Sequence, residues 1–157
     1  MKPKPLSIPQ SLWQRMLSDL RARGAGERES GAFMLAGAGS RKITSFICYD
    51  DLDETALESG IVTVHASGFV KLWDHCHRHG LAVVADVHTH PSDWTEQSYS
   101  DRTHPMVAIK GHIALILPDF AAPNALPFNG ASVYEYKGRH KWRTHTSNSA
   151  PFIISDL

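Results

Sequence analysis

His88 and His90 stand two residues apart at the end of the apolar run Leu81-Ala82-Val83-Val84-Ala85; seven residues separate His90 from the stretch Ser98-x-x-Asp101. If the run is a strand, its two-residue alternation sends both imidazoles to one face. Two histidines and a carboxylate are a common donor set for a catalytic zinc, which keeps a further position for water. The segment Asp86–Asp101, DVHTHPSDWTEQSYSD, thus offers two nitrogens, one carboxylate and a hydroxyl, with a loop to fold them together. Ser98-x-x-Asp101 also reads as an N-cap with an acidic first turn, favoured by the helix dipole. The two readings are compatible: a helix starting at Ser98 points its hydroxyl and the Asp101 carboxylate toward the same place.

Hydrolysis at such a site also needs a carboxylate that is not a ligand, to take a proton from water and pass it to the leaving amine. Glu29, just before the apolar run Ala32–Ala36, is the first candidate, and Glu27 of the same Glu-Arg-Glu triplet is its rival. Glu96 lies inside the loop and reads as solvated. Asp86 shares a face with His88 and either orients an imidazole from behind or pairs with an arginine. His104 reads as a solvated helix end limited by Pro105. Trp94 either walls a substrate groove or packs the loop down. The run His75-Cys76-His77-Arg78-His79 puts His75 and His79 on one helix face, but at a helix end where polar and positive groups are favoured anyway.

The elements that must hold these groups follow from periodicity. Leu12, Trp13, Met16, Leu17 and Leu20 predict an amphipathic helix over 9–22, lying on a sheet. Ala32–Ala36 is a short buried strand between glycines, and Lys42–Cys48 a second strand. Asp50–Gly60 reads as an acidic loop, Ile61–His65 as a strand, and Ser67–His79 as a helix capped by Gly80. The strand Leu81–His90 ends at Pro91, and Ser92–Gln97 is a loop. A short helix begins at Ser98. His112–Leu117 is a buried strand, Pro118–Phe128 a loop, and Ala131–Tyr136 and Lys141–His145 close the sheet. The tail from Thr146 to Leu157 ends apolar, so it either docks or stays loose. Regular βαβ alternation is missing, which argues an α+β domain with a mixed, largely antiparallel sheet flanked by helices.

At 157 residues the chain reads as a single domain, with a core over about 9–145 and a tail over 146–157. Its formal net charge is zero and no lysine–arginine stripe stands out, so nucleic acid is not an expected partner. The N-terminus lacks the apolar stretch of a signal peptide, and no run reaches the length of a membrane span. Cys48 and Cys76 are the two cysteines, read as reduced thiols of a cytoplasmic protein.

Glu29-Ser-Gly-Ala-Phe-Met-Leu-Ala, followed by His88-x-His90-Pro, six residues, Ser98, two residues and Asp101, resembles the JAMM (MPN+, JAB1/MPN/Mov34) zinc metalloproteases. The spacing from His90 to Asp101 agrees residue for residue; at the third residue after the glutamate, where the family commonly has glycine, this chain has Ala32. The resemblance spans roughly residues 10–145 and implies an MPN/cytidine-deaminase-like fold. It implies that His88, His90 and Asp101 ligate Zn2+, that Glu29 is the general acid/base, and that Ser98 hydrogen-bonds the oxyanion. It also implies an isopeptidase or peptidase acting after the C-terminal tail of a ubiquitin-like protein, in deconjugation or in precursor processing. That tail would lie extended beside a strand, and activating or conjugating enzymes would be associated partners. The compact length is similar to small stand-alone prokaryotic members, with Asp50–Gly60 and Pro118–Phe128 as the substrate-gripping insertions. Two rivals remain: trimming of a sulfur-carrier protein with the ubiquitin fold, and a non-catalytic MPN scaffold.

Overall fold

The computed structural model describes residues 4–123, 131–145 and 151–156. The chain opens with a short strand, β1 (Leu6–Pro9), and helix α1 (Gln10–Gly24). Leu12, Trp13, Met16, Leu17 and Leu20 form the buried stripe of α1 that the spacing predicts. The helix ends one residue later than Gly24 suggests: Ala25 takes the left-handed conformation, and its N–H donates to the Arg21 carbonyl at 3.0 Å. Next come β2 (Gly31–Gly37), β3 (Ile43–Cys48), α2 (Tyr49–Leu52), α3 (Ala66–His79) and β4 (Leu81–Thr89). A single-turn helix α4 (Tyr99–Thr103) follows, then β5 (Ile113–Leu117), β6 (Ser132–Gly138), β7 (Lys141–His145) and β8 (Phe152–Ser155).

Six strands form one sheet in the order β3-β2-β4-β5-β6-β7. Only β4 and β5 run parallel; the other pairings are antiparallel, as expected for a mixed, largely antiparallel sheet flanked by helices. Its central strands are covered on both faces, which is why β2 reads as a continuous apolar run instead of an alternating one. Ala32, Met34, Ala85 and Val87 face the α1 side, whereas Phe33 and Leu35 join Leu72 and Cys76 of α3 on the other. Asp86 and His88 therefore emerge on the α3 side, where they break an otherwise apolar layer.

The structure departs from the sequence expectations in two connections and decides between the two readings of the tail. Ile61–His65 is not a strand. Its N–H groups go elsewhere: Thr63 N–H donates to the Ala56 carbonyl at 3.0 Å, and His65 N–H to Asp53 Oδ2 at 2.9 Å. The alternating Val62 and Val64 pack on the α3-side cluster without any ladder, so period-two burial arises without pairing. Asp50–Gly60 is not merely an acidic loop, since its first residues belong to α2 and Leu52, Ala56 and Leu57 are buried. Asp51, Glu54 and Glu58 stay exposed, with Arg23 bridging Asp50 and Asp51 at 3.0 and 2.9 Å. The tail docks: β8 pairs in parallel with β1, Leu6 opposite Phe152, and the Phe152 ring sits 5.9 Å from that of Trp13. Residues 124–128 of the Pro118–Phe128 loop, residues 146–150 and Leu157 lie outside the described residues.

One glycine fixes how tightly the site end of the sheet is packed. A Cβ on Gly31 would run into the Tyr49 ring and stand 2.7 Å from the Val87 carbonyl oxygen. Both cysteines are buried free thiols, and burial pushes the Cys48 thiol up to about 12. Gly31→Ala should lower stability by about 1–3 kcal/mol through overpacking, read from urea midpoints. An unchanged midpoint would mean that the Tyr49 contact yields freely. In the folded protein Cys48 should resist alkylation at neutral pH and react only on unfolding; fast modification of the native chain would contradict its burial.

Candidate metal centre

The pairing of β2 with β4 builds the site before any loop contributes. Gly31 lies opposite His88. Continuing that antiparallel register by two residues on each strand sets Glu29 against His90. Hydrogen bonds pin the step between them: Ser30 N–H donates to Thr89 Oγ1 at 3.0 Å and Thr89 N–H to the Ser30 carbonyl at 2.9 Å. On the other side, His90 N–H donates to the Leu117 carbonyl at 2.8 Å and its own carbonyl accepts from Phe120 N–H at 2.9 Å. The backbone under both histidines is thus held from two neighbouring strands.

His88 Nε2 and His90 Nε2 face each other at 3.2 Å. Glu29, His88 and His90 each present a ligand-type atom within 4.8 Å of the others, and this group could hold a metal ion. Glu29 Oε1 lies 3.9 Å from His90 Nε2. Asp101 comes closer, with one carboxylate oxygen 3.4 Å from His88 Nε2 and the other 3.4 Å from His90 Nε2.

Asp101 reaches that place because it belongs to a capping box at the start of α4. Its carboxylate accepts from Ser98 N–H at 2.9 Å, while its own N–H donates to Ser98 Oγ at 3.0 Å. The two sequence readings of Ser98 and Asp101 hold together, since one carboxylate both caps the helix and faces the histidines. Glu29 is steadied by the Gly60–Val62 segment: its N–H donates to the Gly60 carbonyl at 3.0 Å, and its carboxylate accepts from Val62 N–H.

Burial and neighbouring charges oppose each other throughout the site. Burial pushes the Glu29 carboxyl above its ordinary value, against the pull of the two imidazoles. For Asp101 burial acts in the same direction but is outweighed by His88, His90 and the Ser98 N–H, which hold it well below the usual carboxylate range. For His90 burial disfavours the charge, yet Asp101, the Trp94 carbonyl and Glu29 raise its proton affinity overall. The site therefore favours a positive charge between two carboxylates, whether a proton or a metal ion.

The His90 tautomer suits the second choice. His90 Nδ1 meets the Trp94 carbonyl oxygen at 2.9 Å. A carbonyl only accepts, so Nδ1 carries the proton and Nε2 presents a lone pair to the site in the neutral ring. An inward lone pair beside a second imidazole and two carboxylates is a donor set that fits a divalent ion.

Glu29, His90, Ser98 and Asp101 share the wall of a cavity of about 200 Å3, completed by Ile61, Val62, Pro91, Ser92, Trp94 and Ser100. The other sequence candidates lie elsewhere. Glu27 is exposed in the turn after α1, and Glu96 accepts from the Trp94 indole N–H at 3.3 Å. His104 caps α4 beside Thr103, exposed to solvent. Asp86 pairs with His112 at 2.7 Å, not with an arginine or a histidine of the centre. The His75 and His79 rings adjoin each other at 4.5 Å on α3, away from this group. The Val62 N–H, the Trp94 carbonyl and the buried Tyr49 phenol behind Gly31 were not foreseen from sequence. No residue type marks a backbone contact, so no signal in the chain would have found the first two.

No protein-family model matches the chain. It is similar to a solution structure of a protein from Desulfitobacterium hafniense, at 13% identity and a TM-score of 0.66, covering 96% of this chain and 93% of that one. A JAB1/MPN domain protein from Archaeoglobus fulgidus matches at 15% identity and a TM-score of 0.54, over 98% and 100% of the two chains. A Salinibacter ruber protein matches at 17% identity and a TM-score of 0.55, over 96% and 92%. The fold is therefore that of JAB1/MPN domains.

Metal-free protein should bind one equivalent of Zn2+ or Co2+ in equilibrium dialysis, with a matching rise in unfolding temperature by linkage. Asp101→Ala should weaken that binding by tenfold or more. Unchanged affinity in the variant would remove Asp101 from the centre.

Proposed function

We propose that this chain is a zinc-dependent hydrolase of the JAMM type, cleaving a peptide or isopeptide bond after the extended C-terminal tail of a ubiquitin-like protein. The observation that carries this reading is the approach of Glu29 to His90 and of Asp101 to both histidines, with Glu29, His90 and Asp101 on the wall of one cavity. The JAB1/MPN domain neighbour supports it at the level of fold. Held by His88, His90 and Asp101, Zn2+ would supply Lewis acidity toward a carbonyl oxygen and lower the pKa of water.

The chain's own groups then divide the work. Glu29, its proton affinity raised by burial, takes a proton from the attacking water on a carboxylate oxygen and delivers it to the nitrogen of the departing amine. Its geometry does not rest on one flexible side chain alone, because Gly60 and Val62 hold it from the backbone. Ser98 Oγ already accepts the Asp101 N–H, which leaves its own proton free for the oxyanion of the tetrahedral intermediate. Ile61 and Val62, in a segment outside any sheet, line the cavity beside Glu29.

The test is a panel of ubiquitin-like proteins carrying C-terminal fusions, incubated with the purified chain. Cleavage should appear at the end of the tail, stop with chelator and return with Zn2+. Glu29→Gln should keep zinc bound and lose at least about a hundredfold in rate. Full activity in Glu29→Gln would move the proton carrier elsewhere, and chelator-resistant cleavage would overturn the metal-dependent reading.

A further inference from the structure

Trp94 meets His90 twice. Its carbonyl oxygen takes the Nδ1 proton at 2.9 Å, and its indole lies nearly flat on the imidazole, with centroids 5.2 Å apart and planes inclined by 12°. The carbonyl contact selects the tautomer. The stacked ring shields one face of the imidazole from water and resists its rotation, so Nε2 stays aimed between His88 and Asp101. The indole is itself tethered, its N–H donating to the Glu96 carboxylate at 3.3 Å and its backbone N–H to Ser92 Oγ at 3.3 Å.

Simple packing of the loop does not account for this arrangement. The indole remains 49% exposed, and its partner in the contact is a nearly buried imidazole of the centre, not a hydrophobic core residue. What it gains here is contact with one polar ring whose orientation matters.

We propose that Trp94 is a positioning residue of the metal centre, holding His90 in ligand geometry through ring stacking and through its carbonyl. This rests on the reading of His90 as a metal ligand. The indole then also reports on the site, because a cation on Nε2 changes the charge of the ring against which it is stacked.

The test titrates metal-free protein with Zn2+ alone, following tryptophan emission and, separately, zinc uptake by equilibrium dialysis. In the unmodified chain zinc should change the emission. Trp94→Phe keeps an aromatic ring over His90, so its zinc affinity should stay close to that of the unmodified chain while the emission change is lost. Trp94→Ala keeps the carbonyl but removes the stacked ring, and its affinity should fall about tenfold or more. Far-ultraviolet circular dichroism and urea midpoints of both variants should match the parent, since Trp94 lies outside the core clusters. Unaltered affinity in Trp94→Ala would overturn this proposal and leave the metal centre standing. An undiminished emission change in Trp94→Phe would overturn Trp94 as the reporter and assign the signal to another tryptophan, such as Trp142, which shares a pocket wall with His88 and Asp101. No zinc uptake by the unmodified chain would overturn the metal centre and this proposal together.

Discussion

The antiparallel register of β2 on β4 is the constraint on which the rest depends. With Gly31 fixed opposite His88, Glu29 has no choice but to lie near His90, although the two are far apart in sequence. A slip by one residue would turn the histidines to the α1 face and put Val87 and Thr89, or Thr89 and Pro91, in their place. The register is fixed by burial on both faces, and the Ser30–Thr89 bonds close it at the site end. Gly31 lets Tyr49 lie against the strand there, so the wall behind the histidines is dense.

On that base the loop after His90 adds only short-range pieces. The capping box at Ser98 turns a local requirement of helix initiation into delivery of a carboxylate to two imidazoles. Trp94 settles the His90 tautomer from the other side. The outcome is a small region where burial, two carboxylates and two imidazoles oppose one another. Glu29 is pushed toward its protonated form while Asp101 is held ionised. Two carboxylates with divided proton affinities thus share one cavity.

Much of this was legible in the chain because the governing patterns are local. The spacing of His88, His90, Ser98 and Asp101 encodes alternation on a strand and the first turn of a helix, and both are realised. Glu29 was legible only through its place before a buried strand, since its partner lies across a strand pairing. Other features depend on chain path. Val62 and Val64 alternate as a strand would, yet they alternate because one side packs on the α3 cluster. The pairing of β8 with β1 joins the two ends of the chain, and no local periodicity announces it. The contacts of Val62 and Trp94 with Glu29 and His90 use backbone groups, which every residue possesses.

X-ray absorption at the zinc edge of the zinc-loaded chain tests the central claim most directly. Convergence of His88, His90 and Asp101 on one ion predicts a shell of nitrogen and oxygen with the outer scattering of two imidazoles and no sulfur. A sulfur shell, or a spectrum lacking imidazole scattering, would place the ion away from these residues and contradict the account.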